Sequence, residues 1–134
     1  MSKYLVFNDV VFADRGCLIA ALAALGYGED KIELGERLPL YGYRGDRRPE
    51  TADVVIRRRN VGAGANDIGF AKQGRGYVPI VSEYDQQTFM QGRFLTHLKV
   101  AYGEAAARRI AERVRGSVRR RVEGGKIIMT IRCP

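Results

Sequence analysis

Apolar positions along this chain change their spacing several times, and each change marks an element. Tyr4, Leu5, Val6 and Phe7, then Val10, Val11 and Phe12 after an Asn8-Asp9 break, predict a strand over residues 3–12. Leu18, Leu22 and Leu25 recur at helical spacing behind Asp14, whose carboxylate suits a helix cap, and Gly26 marks the helix end. Residues 28–37 are charged and weakly patterned, with a short strand around Lys31 to Leu34. Strands are then predicted over Leu38–Tyr43, Asp53–Arg59, Asp67–Lys72 and Tyr77–Ser82, with polar or glycine-bearing turns between them. In the second of these, Val54 and Ile56 share one face while Val55 and Arg57 share the other.

Met90, Phe94, Leu98 and Ala101 predict a helix from Gln86 to about Tyr102, broken at Gly103. A further helix over Glu104–Arg115 would turn Ala107, Ile110, Ala111 and Val114 inward and Arg108, Arg109, Glu112 and Arg113 to water, with Gly116 ending it. Val118 and Val122 alternate with arginines, Gly124-Gly125 is a two-residue turn, and Ile127, Met129 and Ile131 line one face of a final strand. Strands in blocks, rather than in strict alternation with helices, predict an α+β fold. Its sheet is single-layered and largely antiparallel, covered on one face by two to three helices, with a C-terminal β-hairpin. The 134 residues suit a single domain over 1–134.

Composition narrows the function classes. At 46% hydrophobic and 28% charged, the chain reads as an ordinary globular protein. No apolar run approaches the roughly 20 residues a membrane span needs, and Asp9 and Asp14 interrupt any secretion signal. A cytoplasmic location is the expectation. Cys17 and Cys133 are single and far apart, so two unpaired thiols are expected. His97 is the only histidine and no cysteine pair exists, so neither a zinc site nor a cofactor is expected.

The formal net charge of +8 is concentrated near the C-terminus, where residues 108–132 hold nine basic side chains against two acids. Such asymmetry points to an acidic protein partner or to nucleic acid. Arg108, Arg109, Arg113, Arg119 and Arg121 are the candidate contacts, and the triplet Arg57-Arg58-Arg59 is a second basic run that adds Arg57 and Arg59 to them. Tyr41 and Tyr43 share a strand face and, with Tyr77, could stack bases beside those arginines; packing inside the fold is the competing reading. If Val118 and Val122 face the core, Arg120 points inward with them and needs a carboxylate or a site opening.

No catalytic constellation is visible. The loop Gly62-Ala63-Gly64-Ala65-Asn66 lacks the lysine and following helix of a phosphate loop, so it reads as a hairpin connection. Glu83 and Asp85 form an acidic pair around Tyr84, and Asp85 suits a helix cap better than a cation site. A small-molecule pocket lined by Arg57, Glu83 and His97 remains open if those residues converge.

Tyr41-Gly42-Tyr43, Ala52-Asp53-Val54-Val55-Ile56-Arg57, Asp67-Ile68-Gly69-Phe70 and Tyr77, followed by Phe94-Leu95, Ala101-Tyr102, Val118, Val122, Glu123, Gly125 and Ile127, form a spaced series. In this series the chain resembles the family of hypothetical chloroplast reading frames called ycf thirty-five, whose bacterial relatives are catalogued as domain of unknown function twelve-fifty-seven. The resemblance runs over nearly the whole chain and implies a small, non-catalytic accessory protein. The chain departs from that pattern in its stronger basicity after Arg108 and its longer loop over Val61–Asn66.

Overall fold

The computed structural model describes residues 2–114 and 117–132. Its main sheet is antiparallel, with strands ordered β1-β5-β4-β3-β2. These are β1 (Tyr4–Val6), β2 (Glu33–Tyr41), β3 (Arg47–Ile56), β4 (Ile68–Gln73) and β5 (Gly76–Ser82). Strands β2 to β5 form a meander. Strand β1 pairs with β5, and helix α1 (Arg15–Ala24) carries the chain to the opposite edge. The expected α+β fold, with its antiparallel sheet, helices and C-terminal hairpin, is the one observed.

Element boundaries differ from the sequence reading for local reasons. The first strand stops at Val6, because the chain bends at Asn8-Asp9 and the Val10 N–H donates to the Phe7 carbonyl. Only Phe12 rejoins the sheet, bridging Tyr77. The two strands expected around Lys31–Leu34 and Leu38–Tyr43 are one strand with a bulge. Pairing shifts between Leu34 and Leu38, and Arg37 adopts φ 49°. Asp53 secures this irregularity by accepting from Arg37 N–H at 3.2 Å and from Lys72 N–H at 2.7 Å.

One sheet face carries the principal core. Val54, Ile56, Ile68, Phe70 and Val81 pack under Leu18 and Leu22 of α1 and under Phe94, Leu95 and Leu98 of α4 (Phe94–Arg113). Phe89 and Phe94 lie 4.9 Å apart between ring centroids and join the short helix α3 (Glu83–Thr88) to this layer. Gly103 does not break the last helix, which runs straight through it. A mid-helix glycine costs about 1 kcal/mol, and the packing of Leu98 on one side and Ala107 and Ala111 on the other outweighs it. The break falls instead at Met90 and Gln91, whose φ values of 52° and 58° separate α3 from α4. The cap of α3 is Ser82 rather than Asp85, since its side chain accepts from the Asp85 N–H.

The other face is covered by the sheet itself. Beyond Asp53 the β2–β3 hairpin bends back across β4, so that Leu40 and Ala52 close over Tyr4, Val55 and Ile80. It crosses at Gly69: a Cβ there would lie 2.5 Å from that of Ala52 and 3.1 Å from Leu40. Any larger residue would push the hairpin off, and this crossing brings the Tyr41 end of β2 over to β1 and β4.

Asp14 caps α1 as expected, accepting from Cys17 N–H at 2.8 Å, and also pairs with Arg109 of α4 at 2.6 Å. The Cys17 hydrogen bond, then Arg109, holds its carboxyl below the usual aspartate value. A depressed native pKa stabilises above the unfolded value, about 3.9, and the gain fades as pH falls through the native one. Asp14→Ala is therefore expected to cost about 1 kcal/mol at pH 7, mostly through the cap, since the exposed ion pair is screened. The difference from wild type should shrink toward pH 3, as read from denaturant midpoints at the two pH values.

Candidate functional site

The site is organised by two adjacent residues that end the 61–66 loop. Asn66 and Asp67 are each 1% exposed, polar, and placed where three parts of the fold meet. Asn66 donates from its amide to Ser82 Oγ at 2.9 Å, its backbone N–H meets Asp85 at 3.0 Å, and its Oδ1 accepts from Tyr43 N–H at 2.9 Å. Asp67 accepts from Tyr41 N–H at 2.8 Å, from Arg58 N–H at 2.7 Å and from Arg57 Nη1 at 2.8 Å. The pair thus pins the folded-back hairpin, the end of β3 and the start of α3 to one point.

Arg57 lies across the hairpin. It donates to Asp67, to Glu33 at 2.7 Å and to the Pro39 carbonyl at 2.7 Å, with its guanidinium 5.6 Å from the Tyr41 ring centre. Glu33 first and Asp67 next raise its pKa further above the arginine range, while Arg57 holds the Glu33 carboxyl below its ordinary value. Tyr4 donates to the Asp67 carbonyl at 2.9 Å beneath, and burial first, then the Asp67 charge, pushes its phenol well above its usual value. A buried carboxylate is tolerated here because a guanidinium and two amides surround it.

This arrangement corrects the reading of Arg57–Arg59 as strand residues. Strand β3 stops at Ile56, and Arg58–Val61 form a single helical turn, α2, because Asp67 captures the Arg58 N–H. The three arginines therefore do not alternate between sheet faces. They line one open cleft of about 530 Å³ together with Glu33, Tyr41, Gly45 and Asp67.

The other sequence-stated candidates are scattered. Tyr77 is buried in the helix-side core, where it bridges Phe12, so it shares no surface with Tyr41 and Tyr43. The Tyr41 and Tyr43 rings lie against Arg57 and Arg44, the latter at 5.3 Å. Among the described residues, Arg57 and Glu83 line two different clefts. Glu83 opens α3 beside Lys3 at 3.9 Å, and His97 is exposed on α4. Among the described residues, no group of three or more His, Cys, Asp or Glu is placed to hold a metal ion. Cys17 is buried, its thiol pushed up first by burial, and Cys133 lies outside the described residues.

The described arginines after α4 lie on a two-stranded ribbon of their own. Strands β6 (Ser117–Glu123) and β7 (Lys126–Arg132) form their own antiparallel sheet, joined to the body through α4. Val122 does not face a core; it is 67% exposed. Arg120 does find a carboxylate, Glu104 of α4 at 3.0 Å, on the ribbon face where Met129 and Ile127 are half-buried. Register puts Arg119 and Arg121 on the opposite face with Glu123 and Lys126; all four are exposed, and Arg121 pairs with Glu123 at 3.1 Å. Arg108 and Arg113 are exposed on α4, whereas Arg109 is engaged by Asp14. Arg115 lies outside the described residues.

Sequence reasoning missed Asp67, Asn66, Glu33 and Gly45. The available signal was an Asn-Asp pair directly before the apolar run Ile68-Gly69-Phe70, where two polar residues on a strand entering the core need partners.

The fold and the site together define a small α+β module with an arginine–carboxylate clasp and a basic two-stranded ribbon packed on its last helix. The chain belongs to a family described as protein of unknown function (DUF1257), whose model matches residues 21–121. That span takes in the clasp, the cleft and most of β6. No curated protein and no solved structure matches the chain. No helix among the described residues is long and apolar enough to cross a membrane.

Proposed function

We propose that this chain is a non-catalytic cytoplasmic adaptor of the ycf thirty-five kind, binding an acidic protein partner through its C-terminal ribbon. The observation that carries the reading is the separation of β6–β7 from the main sheet, with Arg119, Arg121 and Lys126 exposed on one face against the single carboxylate of Glu123. A two-stranded ribbon has little stability alone, and a second docked surface would supply what the body does not. Exposed Arg108 and Arg113 on the neighbouring helix extend the same positive field.

Nucleic acid is the weaker reading, because the aromatic platform it needs is not assembled. Tyr77 is in the core, and Tyr41 and Tyr43 lie against arginines. Affinity purification of the tagged chain from its native cell, with and without nuclease, separates the two. One stoichiometric acidic protein should survive nuclease, dissociate as salt rises, and be lost from the Arg119→Glu/Arg121→Glu variant by at least tenfold. Recovery of nucleic acid alone, or retention undiminished in the double variant, would overturn the proposal.

A further inference from the structure

We propose that the cleft beside the clasp is a binding site for a small phosphorylated molecule, with Arg58 and Arg59 as its anion-binding residues. Arg57 does not supply the charge, since Glu33 and Asp67 already neutralise it. Arg58 and Arg59 pair with no carboxylate among the described residues, although both line the cleft.

Arg58 is held at both ends. Its backbone N–H donates to the buried Asp67 carboxylate at 2.7 Å, and its Nη1 donates to the Tyr43 carbonyl at 3.0 Å. The rest of the guanidinium is left unengaged toward Gly45. A Cβ on Gly45 would lie 3.5 Å from Nη2, and its φ of 76° disfavours any side chain there. A guanidinium positioned in advance loses less entropy on binding, and its planar donors match phosphate oxygens. Two unpaired guanidinia in one cleft suit a dianion better than a single carboxylate. A cleft of about 530 Å³ is in the range of small-ligand sites.

The proposal is independent of the ribbon. Amide chemical shifts of the full chain should be followed by NMR during titration with inorganic phosphate and, separately, with acetate at matched ionic strength. Saturable shifts confined to residues 41–45 and 57–59, with a dissociation constant of about 1–10 mM for phosphate and at least fivefold weaker acetate binding, are expected. Arg58→Ala and Arg59→Ala should each weaken phosphate about tenfold. Arg58→Lys should recover less than half of that loss, and Arg119→Glu/Arg121→Glu should leave it unchanged. Unsaturable or dispersed shifts, equal affinity for acetate, or wild-type affinity in Arg58→Ala would overturn the site. The unchanged fold of each variant is read from the same spectra.

Discussion

Replacing Asp67 by alanine is expected to destabilise the protein by about 3–5 kcal/mol, the range for removing one partner of a buried ion pair. Three donors converge on this carboxylate: Tyr41 N–H, Arg58 N–H and Arg57 Nη1. Without it, two backbone amides lose their acceptor at a junction where water is largely excluded, and each such loss is costly. Arg57, only 17% exposed at its side chain, keeps Glu33 and the Pro39 carbonyl but loses its buried counter-charge.

For a chain of this size the corresponding fall in Tm is roughly 10–20 °C. Asp67→Asn keeps the volume but turns one acceptor into a donor facing donors, so it should cost more than about 2 kcal/mol. Glu33→Ala removes an ion-pair partner too, yet Glu33 is half-exposed, and less than about 1 kcal/mol is expected. Urea denaturation of the three variants tests the ordering. Similar losses for Asp67→Asn and Glu33→Ala would mean that Asp67 is not the hub.

The contrast between Asp67 and its surroundings also explains what could be read from the sequence. Short-range regularities were legible: the period-two split of Val54 and Ile56 from Val55, the Leu18–Leu22–Leu25 stripe, the Asp14 cap and the Gly124-Gly125 turn all appear where spacing put them. What was not legible depends on contacts distant in sequence. Arg57–Arg59 look like a strand's end, and they leave the strand only because a carboxylate nine positions after Arg58 takes its amide. Gly103 looks like a helix end until packing from both sides overrides it.

The basic C-terminus was legible as charge but not as a separate ribbon. Alternation of Val118, Arg120 and Val122 does not say whether a core lies on either side, and the exposed Val122 shows that none lies against it. The cleft was invisible for a related reason. Arg57 was visible as a candidate, but its two carboxylates come from β2 and from the residue just before β4, and only the folded-back hairpin brings them together.

Placing a larger residue at Gly69 should reverse that fold-back. Gly69 pairs with Val55 on one side and Ile80 on the other, at the centre of the second core. In Gly69→Val the new Cβ would start 2.5 Å from the Ala52 Cβ and 3.1 Å from Leu40, before its methyl groups are counted. Neither neighbour can move alone, since Ala52 and Leu40 sit on the two strands of one hairpin and both are fully buried. Overpacking of this kind costs about 1–3 kcal/mol, and the upper end or beyond is expected for a β-branched residue at a crossing.

The displacement would also draw the Tyr41 amide away from Asp67 and the Tyr41 carbonyl from Tyr4 and from the Asp67 amide. Clasp and cleft should therefore weaken together with stability. Ala52→Gly relieves the nearest contact, so the double variant should recover part of the loss, with a coupling energy of about 1 kcal/mol or more in a double-mutant cycle. Additive losses from the two substitutions would show that the hairpin does not cross the sheet at this glycine.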